Sequence, residues 1–336
     1  MARRQKHFVG KSPSQRRNSL PFLDYKYFCN FKMSFMGKKT EKFATTIEEQ
    51  IELLQSRGMT FDNAEKVKEH LLDIGYYRLG FYWFPFEVTF PRIDKRDHNF
   101  KEGTLFENVI QLYYFDFDIR NIFLRYISRI EINFRTKLIY ITSNHFRDNP
   151  FWYVDSNCVK RDFLESDDYK RAVDDLDREM VITRDKTKHH RNHAPAWKAI
   201  EFMSLGIVIQ LFNNLKDKDG IIRSRISKYF GIGSPNQLSD YMDAIRRLRN
   251  SCAHGKVIFD YKVPGALTNA APVKLKPAQI TNLSGTYEVF KYLLGQVSKN
   301  RLEEMRGKLK EAYDRVKDEN VMKIIVQNTG MDAKNL

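Results

Sequence analysis

Residues 105–146 read LFENVIQLYYFDFDIRNIFLRYISRIEINFRTKLIYITSNHF, and this stretch sets the fold class. Apolar side chains recur at Ile110, Tyr113, Tyr114, Phe117, Ile122, Phe123, Tyr126, Ile127, Ile130, Phe134, Leu138 and Ile141. That spacing is helical, and it predicts one long helix or two joined ones. Asp116, Asp118, Arg120, Arg125, Arg129, Glu131 and Arg135 interrupt it and are expected on a solvated face. Glu131 and Arg135 stand apart as an i,i+4 pair close to the apolar face, where they are expected to be buried and paired as a structural support.

Helical signals continue on both sides. Thr46 with Glu49 and Asp62 with Glu65 read as capping boxes. The stretch Tyr76 to Phe86 is aromatic, and Gly80 and Pro85 argue against a regular helix there. A short hairpin or packed loop is expected, with core packing favoured over the stacking of RNA bases. Residues 163–183 predict a charged helix, and Pro195 opens another that runs through Trp197, Leu205 and Phe212. Ser234 as N-cap, Pro235 at N1 and Gln237 at N3 start the clearest helix, 235–254, which Gly255 ends. Two more helices are expected near 286–297 and 299–318. The resulting division is a basic segment 1–45 without a fold of its own, a helical module 46–104, a helical core 105–260, a loop 261–285 and C-terminal helices 286–336. Met33 and Met36 each read as a candidate start beside Met1.

The chain has 336 residues and a net charge of +15. Residues 1–42 carry eleven Lys/Arg against Asp24 and Glu41. Such a field attracts polyanions, nucleic acid first. No apolar run approaches the ~18 residues of a membrane span, so no membrane partner is expected. Cys29, Cys158 and Cys252 stand far apart with no CxxC, which argues against a disulfide framework and a Cys-based zinc site and fits a reducing cytoplasm. The run RDKTKHHRNH (184–193) is expected to be a basic loop facing RNA through Arg184, Lys186, Lys188, His189, His190 and Arg191. Its histidines lack a carboxylate or Cys at ligand spacing, so neither a metal nor another cofactor is expected.

Helix 235–254 carries the chemistry. At ~100° per residue, Leu238, Tyr241, Met242, Ile245, Leu248 and Cys252 form one apolar stripe. Arg249 falls inside that stripe, where a guanidinium needs a partner or a task. Asn250 and His254 share another face, ~40° apart. Arg246 and Arg247 precede them as further candidates for RNA contact. His254 sits among the open carbonyls and the negative end of the helix dipole, a setting suited to acid–base work or, equally, to a capping role.

The string RRLRNSCAHGKV (246–257) resembles the RNxxxH signature of HEPN ribonucleases. The wider chain resembles the Abi-like abortive-infection family of the D/F type, through TIEEQIELLQSRGM (46–59), LLDIGYYRLGFYWFPF (71–86), residues 100–138 and PAWKAIEFMSLGIVIQLFNNL (195–215). The resemblance implies an all-α fold with a HEPN-like bundle and a metal-independent endoribonuclease of antiphage or toxin–antitoxin type, associated with a structured noncoding RNA. It implies catalytic roles for Arg249, Asn250 and His254, and products with a 2′,3′-cyclic phosphate and a 5′-OH. Members often carry a second His where this chain has Gly255. The reaction wants an acid and a base, and a homodimer bringing two motifs together would supply both. A non-catalytic RNA-binding protein on the same scaffold is the alternative.

Overall fold

The computed structural model describes residues 43–336, and among them there are fourteen α-helices and no β-strand. The all-α expectation is therefore met. The expectations for the basic N-terminal segment, and for Met33 or Met36 as starts, lie outside the described residues. Helices α1 (Ile47–Ser56), α2 (Ala64–Asp73) and α3 (Tyr76–Trp83) precede α4 (Phe106–His145). Then come α5 (Arg161–Leu164), α6 (Asp167–Asp175), α7 (Met180–Lys188), α8 (Ala196–Phe202), α9 (Leu205–Asn213), α10 (Ile221–Tyr229) and α11 (Pro235–Ala253). After a long connection, α12 (Leu283–Val297), α13 (Lys299–Asp314) and α14 (Glu319–Thr329) complete the chain.

The stretch 105–146 forms one uninterrupted helix of 40 residues, about 60 Å long at 1.5 Å per residue. Helix α4 is the spine: α3 and every helix from α8 to α14 pack on it. Its buried stripe meets a different partner at each level. Phe115 lies edge-on to Tyr313 of α13, Phe123 to Phe290 of α12 and Phe134 to Phe212 of α9. Tyr114 and Phe117 fit the helical spacing but are exposed.

Several local expectations need correction. The aromatic stretch is helical, not a hairpin: α3 runs through Gly80, and Pro85 falls beyond its end in a 3-10 turn, Phe84–Phe86. Past the helix end a missing N–H costs little. Tyr82, Trp83 and Phe86 are buried, as core packing requires. The second capping box is displaced, because Asn63, not Asp62, accepts the N–H of Lys66. The charged helix expected over 163–183 is broken, since Ser166 caps α6 and a 3-10 turn, Leu176–Arg178, follows it. Ser204 likewise caps α9 and separates it from α8. Both serines offer the backbone an alternative to continuing the helix. Helices α10 and α14 were not anticipated. At the start of α11, Ser234 accepts the N–H of Gln237, but the Gln237 side chain binds Tyr241 and the carbonyls of Ala270 and Ala271 instead of closing a box.

The expected Glu131–Arg135 pair forms at 3.2 Å, and buried Arg135 also donates to the Met203 carbonyl at 3.0 Å, pinning the α8–α9 break to the spine. Residues Thr46–Leu336 make one compact unit. The connection 277–282 is pressed against the first turn of α12, where a Cβ on Gly285 would collide with the carbonyl oxygen of Gln279 and lie 2.8 Å from its carbon. Backbone cannot yield as a side chain does. Gly285→Ala is therefore expected to destabilise the protein by at least ~1–3 kcal/mol, the usual cost of overpacking, read as a lowered midpoint in urea or thermal unfolding.

Candidate functional site

The C-terminal end of α11 holds Arg249, Asn250 and His254. The helix stays intact to Ala253, and His254 is its C-cap residue. Gly255 follows at φ +63°, the left-handed conformation a helix stop needs. Its N–H reaches the Cys252 carbonyl at 3.1 Å, and the Lys256 N–H reaches Ser251 at 2.9 Å, the paired bonds of a Schellman motif. The stop satisfies two terminal carbonyls through backbone, so the His254 ring is not needed as a cap. His254 is exposed.

The apolar stripe of α11 is buried from Leu238 to Cys252. Arg249 is not part of it, contrary to its position on a helical wheel: it is exposed. No carboxylate pairs with it among the described residues, and its long stem carries the guanidinium out of the apolar surroundings. The guanidinium donates to Asn250 Oδ1 at 3.3 Å. An ideal helix sets Arg249 and His254 ~140° apart. The helix does not fray to close that gap; Arg249 instead turns onto Asn250.

Beneath this turn lies a clamp that the sequence did not disclose. Asp116 and Arg120, taken for a solvated face of α4, are buried. Asp116 Oδ1 accepts the backbone N–H groups of Ile258 and Phe259 at 2.7 and 2.6 Å. Its Oδ2 accepts the Tyr82 hydroxyl at 2.9 Å and lies 3.2 Å from Arg120 Nη1. The same Arg120 nitrogen lies 3.1 and 3.3 Å from the carbonyls of Gly255 and Lys256. Residues 255–259 are thus held from both ends of one ion pair. Burial pushes the Asp116 carboxyl up, opposed by Arg120, the two amides and Tyr82. Donors converge on it from four sides, so the carboxylate is the form this geometry holds. Burial and the Asp116 charge push the Tyr82 phenol up, keeping it a donor. Burial likewise holds Cys252, just above, as a neutral thiol.

The other expected nucleic-acid residues are partly occupied elsewhere. Residues 184–188 belong to α7 and are not a loop. Buried Asp185 gathers Lys198, with His189 Nδ1 at 3.6 Å and Arg191 Nη2 at 4.0 Å. The Lys198 hydrogen bond draws its carboxyl down, against the effect of burial. Lys186 pairs with Asp177 at 2.6 Å. Arg184, Lys188 and His190 remain exposed. Arg246 and Arg247 both bind Asp243, at 2.6 Å each, and Arg247 also binds the Pro264 carbonyl. Among the described residues no ion pair or hydrogen bond joins 184–191 to the end of α11. Among the described residues no group of three or more His, Cys, Asp or Glu could hold a metal ion, and no helix is long and apolar enough to cross a membrane.

A family model described as Abi-like protein matches residues 69–260, more than half of the chain and the whole of the clamp and the Arg249–His254 turn. No curated protein matches, and no solved structure does.

Two outcomes follow from this geometry. Asp116→Ala would leave Arg120 buried without its counter-charge and two amides without an acceptor, so a loss of about 3–5 kcal/mol is expected in denaturant unfolding. Arg249→Ala removes an exposed side chain, so its unfolding midpoint should match the parent within about 0.5 kcal/mol.

Proposed function

The chain belongs to the Abi-like protein family, and we propose that it acts there as an RNA-binding HEPN endoribonuclease toxin of abortive infection or a toxin–antitoxin pair, governed by a structured noncoding RNA. The observation that carries this reading is the group formed by exposed Arg249 and His254 with half-buried Asn250, on a turn locked from behind by Asp116 and Arg120. Exposed polar groups on an immobilised turn are costly to arrange and suit a site that must meet a large anionic substrate. The net charge of +15 favours the same partner.

In the proposed reaction a ribose 2′-OH attacks the adjacent phosphorus while the P–O5′ bond breaks. The 2′-OH proton passes to a base, and an acid protonates the departing 5′-oxygen. The products are a 2′,3′-cyclic phosphate and a 5′-OH end. His254 performs one of the two proton transfers, Arg249 neutralises charge growing on the non-bridging oxygens, and Asn250 orients Arg249 through their hydrogen bond. One chain supplies one imidazole at this turn, and a second copy of the turn across a homodimer supplies the other proton-transfer group.

His254→Ala is expected to lower single-turnover cleavage by ~10²–10⁴, with RNA affinity and the thermal melt close to the parent. Cleavage should persist in EDTA. Cleavage by His254→Ala at the wild-type rate would overturn the role of His254, whereas a wild-type protein that binds RNA without cleaving it would point instead to a non-catalytic RNA-binding protein. Affinity should fall with salt at roughly −0.7 log units per log unit for each single-strand phosphate contact, measured by filter binding across a salt series.

A further inference from the structure

Arg78 lies on α3 one turn before Tyr82, in a stretch that reads as aromatic core. Its terminal nitrogens lie 3.8 and 3.9 Å from the point where a Cβ on Gly255 would sit. The guanidinium therefore rests against the residue that follows His254. Gly255 has no side chain to intervene, and its φ of +63° disfavours any other residue there. Arg78 is half-buried, at the rim of the clamp and not inside it.

Its bonding is poor for a half-buried cation. Nη2 reaches the Tyr82 hydroxyl oxygen at 3.5 Å, a weak contact, and the guanidinium carbon is 6.0 Å from the Tyr82 ring centroid. The Tyr82 proton is committed to Asp116. Asp116 is itself taken by Arg120 and two amides. No Asp or Glu pairs with Arg78 among the described residues. Arg120 has Asp116, while Arg246 and Arg247 share Asp243. Among the described residues around the His254 turn, Arg249 and Arg78 are the guanidinium groups without a carboxylate. A partly desolvated guanidinium without a counter-ion favours an incoming anion, and its planar fork matches two oxygens of a phosphate.

We propose that Arg78 is a second phosphate-binding arginine of the His254 site, holding an RNA phosphodiester from the α3 side while Arg249 approaches from α11. This rests on the ribonuclease reading and extends it. It gives the turn a cation from the same chain on the face next to His254, and it gives α3 a task beyond packing. Tyr82 ties the two levels together. The residue that orders the clamp below through Asp116 also sits under the Arg78 guanidinium, so the phosphate contact and the anchored turn share one support.

The test compares wild type, Arg78→Gln, Arg78→Lys and His254→Ala in single-turnover RNA cleavage, and in binding of a non-cleavable 2′-deoxy analogue over a salt series, with thermal melts alongside. Arg78→Gln should slow cleavage roughly 10²–10³-fold, the usual cost of one preorganised donor at a developing oxyanion. Its salt slope should be shallower by about 0.7, one phosphate contact on a single strand. Arg78→Lys keeps the charge but not the fork, so it should keep the parental slope and still cleave at least about tenfold more slowly. If Arg78→Gln melts early, Arg78→Lys carries the test, and cleavage by it at the wild-type rate overturns the bidentate contact. A folded Arg78→Gln protein with parental slope and parental cleavage, beside an inactive His254→Ala, overturns the role of Arg78 and leaves the ribonuclease intact. A wild-type protein that binds RNA and never cleaves it overturns the ribonuclease, and a shallower slope in Arg78→Gln then still supports the phosphate contact.

Discussion

A carboxylate removed from water must be answered on every side, and Asp116 is answered by groups from three separate parts of the chain. Tyr82 comes from α3, Arg120 from its own helix, and the amides of Ile258 and Phe259 from the segment beyond α11. None of these partners can move without exposing the others' deficit. The cost of leaving the ion unmatched fixes the spacing of α3, α4 and the 255–259 turn more sharply than apolar contact could, because apolar packing is non-directional and hydrogen bonds are not. The candidate site inherits its rigidity from this arrangement, while its own side chains stay free of structural duties.

Helix α4 makes the arrangement affordable. Its central apolar stripe meets α9, α12 and α13 in turn, so the burial that stabilises the fold is distributed along its length. The two ion pairs that close within the helix itself serve different ends. Glu131–Arg135 fastens the carbonyl of Met203 at the α8–α9 break. Asp116–Arg120 fastens the turn after His254. In both cases a charged pair within the spine binds irregular backbone whose polar groups would otherwise be left open.

How much of this was legible depends on how local its cause is. The helical class, the long α4 and the Gly255 stop follow from periodicity and from the backbone freedom of one residue, both readable over a few positions. The breaks at Ser166 and Ser204 were missed because a serine inside an apolar-periodic run looks like any tolerated polar residue until its hydroxyl is seen to accept a backbone N–H. Arg249 was misplaced for a different reason. A helical wheel gives direction but not whether a long stem will carry its charge back to water. Asp116 and Arg120 were read as solvated because, besides each other and Tyr82, their partners are backbone groups of residues 255–259, which leave no signature in composition. Arg78 was hidden inside an aromatic run that described its neighbours and not its own reach. The triad Arg249, Asn250 and His254 was visible only as a string, and its surroundings came from structure alone.

The Ile258 amide and the Asp116 carboxylate that accepts it are 142 residues apart in the chain. A ribosome releases α3 and α4 long before it releases that amide, so for most of translation Asp116 has only water, Tyr82 and Arg120 to face. Closing so wide a loop is slow because its entropy must be lost before the bonds that reward it can form. The turn that carries His254 is therefore set late, after nearly the whole stretch matched by the family has left the exit tunnel. An incomplete chain that stops short of residue 258 lacks both amides, and with them the means to fix that turn in place.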